Sequence, residues 1–262
     1  MTRARVDDLR ERYRGAILRR DVDLILSDLL GRPVSYVLAH GEAEADEAAF
    51  EDFARRRLAG EPLQYIRGHT EFFGRDFLVD DRVLIPRPET ELLVEAAIAR
   101  IPRGARVADA GTGSGCIAVS LAHARPDLRV LAIDVSVAAL AVARRNGARH
   151  LVASHLFDAV RGELDAIVSN PPYIPAADVE ALTTEVRDHE PRGALTPGPR
   201  GTEVIEHLFR APLVIFEIGF GQEHDVRAIA ASKGYIVEEI IPDLASIPRV
   251  VIASIAKGAP WK

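Results

Sequence analysis

From Ala105 onward the chain repeats one pattern, a short apolar run followed by a helical stretch, and this repetition limits the fold more than any other feature. Residues 107–110, 130–134, 150–153, 166–168, 212–218, 235–241 and 250–255 read as strands. Residues 114–123 and 136–146 read as helices between them. Strands that alternate with helices are joined by crossovers, and crossovers build a mostly parallel, doubly wound α/β sheet. Ligands on such a sheet sit beyond the carboxyl ends of the strands, where the strand order reverses. Side chains at those ends are therefore the candidates for chemistry.

The first strand runs into Asp109, Ala110, Gly111, Thr112, Gly113, Ser114 and Gly115. Glycines let a backbone pass close to a ligand and adopt positive φ. The spacing is G-x-G-x-G, which departs from the G-x-G-x-x-G of dinucleotide binders. The second strand ends in Asp134, whose carboxylate suits the two hydroxyls of an unphosphorylated ribose. A glycine turn with this acid points to a nucleoside cofactor. Asp109 either faces the positive end of an amino-acid portion or only caps the glycine turn.

Residues 166–168 lead into Asn170, Pro171, Pro172 and Tyr173. Neither proline donates to a sheet ladder, so the strand stops there on a stiff backbone. The Asn170 carboxamide oxygen and the Pro171 carbonyl are two acceptors, and Tyr173 adds a flat ring. Together they make a receptor for a planar NH2 group; the alternative is a strand-ending turn capped by Asn170. With the glycine turn and Asp134, S-adenosyl-L-methionine suits the site better than a dinucleotide, its sulfonium methyl directed at the receptor.

Ahead of the repeat, Asp21 reads as an N-cap before Val22, Leu24, Ile25, Leu29 and Leu30, with Gly31 as the stop. Phe50, Phe53, Ala54 and Leu58 repeat the helical spacing up to Gly60, and Leu9, Tyr13 and Ile17 suggest an earlier helix. Residues 1–60 are thus expected to form a small helical bundle, a docking module or a scaffold. Residues 61–86 are expected to be a β-hairpin linker, with short strands at 63–66, 71–73, 77–79 and 83–85. Residues 87–262 are expected to form the sheet domain. At its start, Pro88 suits the first turn of a helix, with Glu89 and Glu91 complementing the dipole. Arg87 beside it either belongs to that helix start or reaches an anion in the neighbouring site.

A net charge of −6 and a pI near 5.8 argue against non-specific nucleic-acid binding through a broadly basic surface. Cys116 is the only cysteine, so an intrachain disulfide and a cysteine-based zinc site are excluded, and the histidines show no metal-ligand spacing. The first twenty residues alternate in charge without an apolar core, and no apolar run reaches bilayer-spanning length. A cytoplasmic protein without a metal or a membrane is expected.

These stretches resemble the peptide chain release factor glutamine methyltransferases, the PrmC/HemK family. The resemblance is carried by residues 60–66, 71–74, 84–91, 109–118 and 168–174, by Glu190-Pro191, and by residues 216–219 with Gln222. The combination of Pro86-Arg87-Pro88-Glu89-Thr90 with Asn170-Pro171-Pro172-Tyr173-Ile174 is highly specific. The resemblance implies a class I, Rossmann-like methyltransferase domain behind a helical N-terminal domain that helps hold the release factor. It implies N5-methylation of the glutamine in a Gly-Gly-Gln loop, S-adenosyl-L-homocysteine as product, and a monomer. By position, Asp109, Gly111, Thr112, Gly113, Ser114, Gly115 and Asp134 would hold the cofactor, with Arg87 and Asn170 also at its site and Leu156 near the adenine. Asn170, Pro171, Pro172 and Tyr173 would hold the glutamine. One departure is His155, where an acid is expected before the adenine-side residue; Asp158 is a substitute acceptor. The links near residues 147–149 and 209–212 are also shorter than expected. Rival readings are glutamine methylation of a ribosomal protein, adenine-N6 methylation of DNA, and cofactor binding without turnover. The DNA reading sits poorly with an acidic chain that has no room for a sizeable target-recognition domain.

Overall fold

The structure, a computed structural model, describes residues 2–256. Contacts divide the chain into two units: residues up to His69 together with Thr183–His189, and Thr70–Leu182 together with the described residues from Glu190 on.

In the first unit, strands β1 (Arg3–Arg5) and β2 (Glu44–Asp46) pair antiparallel. Helices α1 (Val6–Arg12), α2 (Arg19–Leu30), α3 (Val34–Ala39), α4 (Glu47–Leu58) and α5 (Leu63–Arg67) bury Leu9, Ile25, Leu26, Val37, Phe50 and Leu63 in one core. Gly31 ends α2 as expected, with φ of 60°. The start of α2 differs from expectation. It begins behind Leu18, so Asp21 falls inside the first turn, where its buried carboxylate accepts from Arg57 Nε at 2.8 Å. An acid with an arginine partner takes the place of a capping acid. Helix α1 stops at Arg12, and Ile17 reaches the core from the turn beyond it. The strand expected at residues 63–66 is helix α5, between Pro62 and a left-handed Gly68. Leu63, Tyr65 and Ile66 are all buried, and periodicity cannot separate strand from helix in so short an apolar run.

The expected hairpin follows, β3 (His69–Phe72) and β4 (Arg75–Leu78), with all but His69 in the second unit. Its turn residues Phe73 and Gly74 both have positive φ, 50° and 66°. That backbone matches the twist of the flanking strands. Residues 83–85, expected as a strand, run through turn and coil, because Ile85 N donates to the Glu190 carboxylate (3.4 Å) in place of a ladder partner. Helix α6 (Thr90–Arg100) begins two residues later than the position of Pro88 suggests; residues 87–91 form a preceding turn through Thr90 N to Arg87 O (3.0 Å).

The sheet domain then runs β5 (Arg106–Ala110), α7 (Cys116–Ala124), β6 (Arg129–Asp134), α8 (Val137–Arg145), β7 (His150–Ala153) and β8 (Ala166–Ser169). After α9 (Thr184–His189), which belongs to the first unit, come α10 (Arg192–Leu195), β9 (Leu213–Glu217), α11 (Glu223–Ser232), β10 (Tyr235–Pro242) and β11 (Pro248–Ile255). The order is β10-β11-β9-β8-β5-β6-β7, with β11 antiparallel to both its neighbours and the pairs from β9 to β7 parallel. Alternate residues feed the two faces: Val107, Val168 and Ile215 enter one core with Leu93, Ile117 and Leu121, while Ala108, Ile167 and Phe216 enter the other with Ile205, Val226 and Tyr235. All of β8 is buried, as a central parallel strand requires. From β5 the chain first winds out through β6 to β7, then returns to place β8 on the other side of β5. The connections that leave the carboxyl ends of β5 and β8 therefore run to opposite faces of the sheet, and a cleft opens between them.

Candidate active site

A cavity of about 340 Å³ occupies that cleft. Its wall includes Arg87, Gly111, Thr112, Gly113, Ser114, Asp134, Leu156, Asn170, Pro171 and Pro172. Asp109, Gly115 and Tyr173, also singled out from the sequence, are not part of this wall.

On one side of the cleft, the turn after β5 is folded by its own backbone. Gly111 N and Thr112 N both donate to Ile133 O at 2.9 Å, and Gly115 N donates to Thr112 O at 2.7 Å. Gly111, Gly113 and Gly115 all have positive φ. A methyl added at Gly111 or Gly113 would meet no atom within 4 Å, so each leaves open space beside the backbone. At Gly115 it would come within 3.0 Å of Ala143 Cβ, so here glycine serves the packing of α7 on α8. Asp134 ties the turn to the next one: its Oδ2 accepts from Gly113 N (2.9 Å) and its Oδ1 from Ser136 N (2.8 Å).

Asp109 is completely buried. Its Oδ2 accepts from Thr112 Oγ1 at 2.6 Å and from Ala118 N at 3.1 Å, while Oδ1 has no partner. Burial pushes its carboxyl up to about 7, with Thr112 and Ala118 pulling the other way and the nearby Asp134 charge adding to the rise. These contacts are those of a residue that fixes the glycine turn and the start of α7.

Asn146, which the sequence did not single out, closes this side from behind. Its carboxamide donates to Ser114 O and Leu78 O, both at 2.9 Å, and accepts from Leu78 N at 2.8 Å. Leu156, on the wall, has φ of 46°, a backbone that branched side chains seldom adopt. His155 beside it is 71% exposed and stands 3.7 Å from an equally exposed Asp158.

The other side of the cleft is made by side chains. Ser169 Oγ, at the end of β8, donates to Ala110 O at 2.7 Å and binds the two strand ends together. Asn170 Nδ2 donates to Thr90 Oγ1 at 3.1 Å. Thr90 Oγ1 donates to Glu217 Oε2 at 2.8 Å, and Tyr173 Oη donates to Glu217 Oε1 at 3.1 Å. Glu217 is 1% exposed. Burial raises its carboxyl above the ordinary range, while the hydroxyls of Thr90 and Tyr173 and the charge of Arg249 pull it down. Burial, with the Glu217 charge, raises the Tyr173 phenol, so that hydroxyl stays a donor.

Gln222 holds the same segment by its backbone: Nε2 donates to Tyr173 O at 2.9 Å, and Oε1 accepts from Gly219 N at 2.8 Å. A Cβ at Gly201 would fall 2.5 Å from Tyr173 O, so only glycine fits against that carbonyl. Arg87 reaches the wall in an ion pair with Glu190, whose side chain is 1% exposed. Thr90, Glu217, Gln222 and Glu190 fall within stretches that carry the family resemblance, yet nothing in the sequence ties residue 90 to residue 217.

Among the described residues, no helix is long and apolar enough to cross a membrane. Compared with known proteins, the chain matches the family model described as Methyltransferase small domain over residues 88–237 and that described as PrmC N-terminal domain over residues 7–68. It is 41% identical over 254 residues to the release factor glutamine methyltransferase of Koribacter versatilis, across 89% of this chain and 90% of that one. It is 45% identical over 231 residues to the release factor glutamine methyltransferase of Nitratidesulfovibrio vulgaris, across 80% and 78%. Among solved structures, a chain of the E. cuniculi Mtq2–Trm112 complex, responsible for methylation of the eRF1 translation termination factor, is similar in fold, with a TM-score of 0.53, 21% identity, and 67% of this chain and 99% of that one covered.

Proposed function

The chain belongs to the release factor glutamine methyltransferases, and from that premise we propose that it methylates the side-chain amide nitrogen of the glutamine in a peptide chain release factor's Gly-Gly-Gln loop, in the cytoplasm, using S-adenosyl-L-methionine. The observation that supports this reading best is that a single cavity is lined by both the glycine turn with Asp134 and the Asn170-Pro171-Pro172 stretch.

The residues suit the cofactor. Open space beside Gly111 and Gly113 admits a ligand against bare backbone. Asp134, with its oxygens held by Gly113 N and Ser136 N, keeps a fixed carboxylate at the wall for ribose hydroxyls. Leu156 would lie against the base, and Arg87 would stand near the amino-acid portion. When bound, the cofactor supplies an electrophilic methyl on a sulfonium that departs as a neutral thioether.

A carboxamide nitrogen is a weak nucleophile because its lone pair is delocalised into the carbonyl. The protein's task is therefore alignment more than proton removal. Asn170 Oδ1 and the Pro171 carbonyl would accept the two N–H bonds of the substrate amide, and Tyr173, held behind the wall by Glu217 and Gln222, would keep those two acceptors in place. As the nitrogen becomes cationic those acceptors strengthen, which stabilises the transition state selectively. Asn170 and Pro171 would hold the nitrogen toward the methyl that the cofactor supplies, and the surplus proton of the methylated nitrogen would pass to water.

Incubation of the protein with labelled S-adenosyl-L-methionine and, separately, a release factor, total ribosomal protein and a DNA duplex tests the reading by mass spectrometry. One methyl on the Gly-Gly-Gln glutamine is the expected result. Label in ribosomal protein or DNA alone would overturn it.

A further inference from the structure

The Asn170 carboxamide has two unlike ends, and only its oxygen can receive an N–H. We propose that Glu217 and Thr90 act as positioning residues that set which end faces the cavity, and thereby make the site select an amide over a carboxylate. This rests on the reading of Asn170 as the substrate receptor.

The argument follows the protons. Thr90 has one hydroxyl proton, and Glu217 Oε2 lies 2.8 Å from it. Glu217 is sealed from solvent, and its other oxygen receives the Tyr173 hydroxyl. With Glu217 ionised and accepting at both oxygens, the Thr90 proton is committed to it, and toward Asn170 the same hydroxyl oxygen can only accept. Only the NH2 end of Asn170 can occupy the position 3.1 Å from it. Turning the carboxamide over would set two acceptor oxygens against each other in a part-buried site, without a proton between them. With Nδ2 held on Thr90, Oδ1 is left for the cavity that Asn170 and Thr90 both line.

The chemical consequence is selectivity. A glutamine presents two N–H bonds to an oxygen-faced receptor. A glutamate in the same place would present a carboxylate to Asn170 Oδ1 and the Pro171 carbonyl and find no donor. Sites that hydrogen-bond one polar group reject the analogue lacking it much more strongly than apolar pockets discriminate. Without the relay, Asn170 is free to turn its NH2 end forward, and the preference weakens. Glu217 is not part of the cavity wall, so its effect is exerted through Thr90 and Tyr173.

Thr90→Val removes the hydroxyl at nearly constant shape, Thr90→Ser keeps it, and Glu217→Gln lets an amide N–H point at Thr90. The measurements are the Kd of each protein for a release factor and for its Gly-Gly-Glu variant, and kcat and KM for methylation. In Thr90→Val the ratio of the two Kd values is expected to fall on the order of tenfold, the worth of one hydrogen bond, with kcat lowered by a similar factor. Thr90→Ser restores both quantities, and Glu217→Gln follows Thr90→Val. A wild-type Kd ratio in Thr90→Val, or in Glu217→Gln if the first variant fails to fold, overturns the proposal. Wild-type protein that leaves the release-factor glutamine unmethylated instead overturns the functional reading beneath it.

Discussion

The two sides of the cleft are built in opposite ways. The glycine side is the more local: the hydrogen bonds of Asp109 and Asp134 that shape the turn join residues 2, 3, 9 and 21 positions apart, and the longer ties come from Asn146, 32 positions from Ser114 and 68 from Leu78. The receptor side joins residues 44, 49, 80 and 127 positions apart. The first offers backbone amides shaped by short-range turns. The second offers side chains that stand correctly only once β8, β9 and α6 have come together. A local turn keeps its form when one contact loosens, whereas a network of buried polar side chains is satisfied or lost as a unit. The difference separates two kinds of failure, loss of cofactor affinity on one side and loss of rate on the other.

Asn170→Ala tests this separation with the largest expected effect. Removing a preorganised polar group should lower kcat by about 100-fold or more. Cofactor affinity, read by calorimetry with S-adenosyl-L-homocysteine, should stay within about threefold of wild type, and stability should fall by about 1 kcal/mol for the lost bond to Thr90. A cofactor affinity that collapsed together with the rate would show that the two sides do not fail independently.

The same contrast explains what was legible in the sequence. The glycine turn, Asp134 and the strand ending at Asn170 follow from periodicity and residue type alone, and the strand His150–Ala153 is where its apolar residues put it. The supports of the receptor are not legible that way. No spacing rule pairs Thr90 with Glu217, because that pairing is created where α6 packs against the end of β9. Asp21 misled for a related reason: an acid before an apolar stripe is a cap by local rules, but its partner Arg57 arrives from another helix. Asp109 was readable as important yet ambiguous in role, and only its burial and its bonds to Thr112 and Ala118 set it behind the turn.

Gly115→Ala strikes the local side, with a smaller effect. Its φ of 81° costs an alanine about 1–2 kcal/mol, and the new methyl would meet Ala143 at 3.0 Å. Thermal unfolding should drop by several degrees, about 2–4 °C per kcal/mol for a chain of this size. Affinity for S-adenosyl-L-homocysteine should fall as α7 is pushed off α8. The preference for glutamine over glutamate in the release factor should not change, since no bond of the receptor passes through residue 115. A change in that preference would show that the glycine turn also orients the receptor.

Leu156→Gly gives the smallest effect and the finest distinction. At φ of 46° the leucine backbone is strained by about 1–2 kcal/mol, and glycine releases that strain. Against this, glycine costs about 0.5–1 kcal/mol in backbone entropy, and the apolar contacts of Leu156 with the core beneath it are lost. The terms nearly offset, so the unfolding temperature should move by no more than about 2–4 °C, the equivalent of roughly 1 kcal/mol. Cofactor affinity should nevertheless fall several-fold, because the base loses its apolar wall. If affinity held while stability rose, the strained backbone at residue 156 would have no part in binding, and the cofactor side would consist of the glycine turn and Asp134 alone.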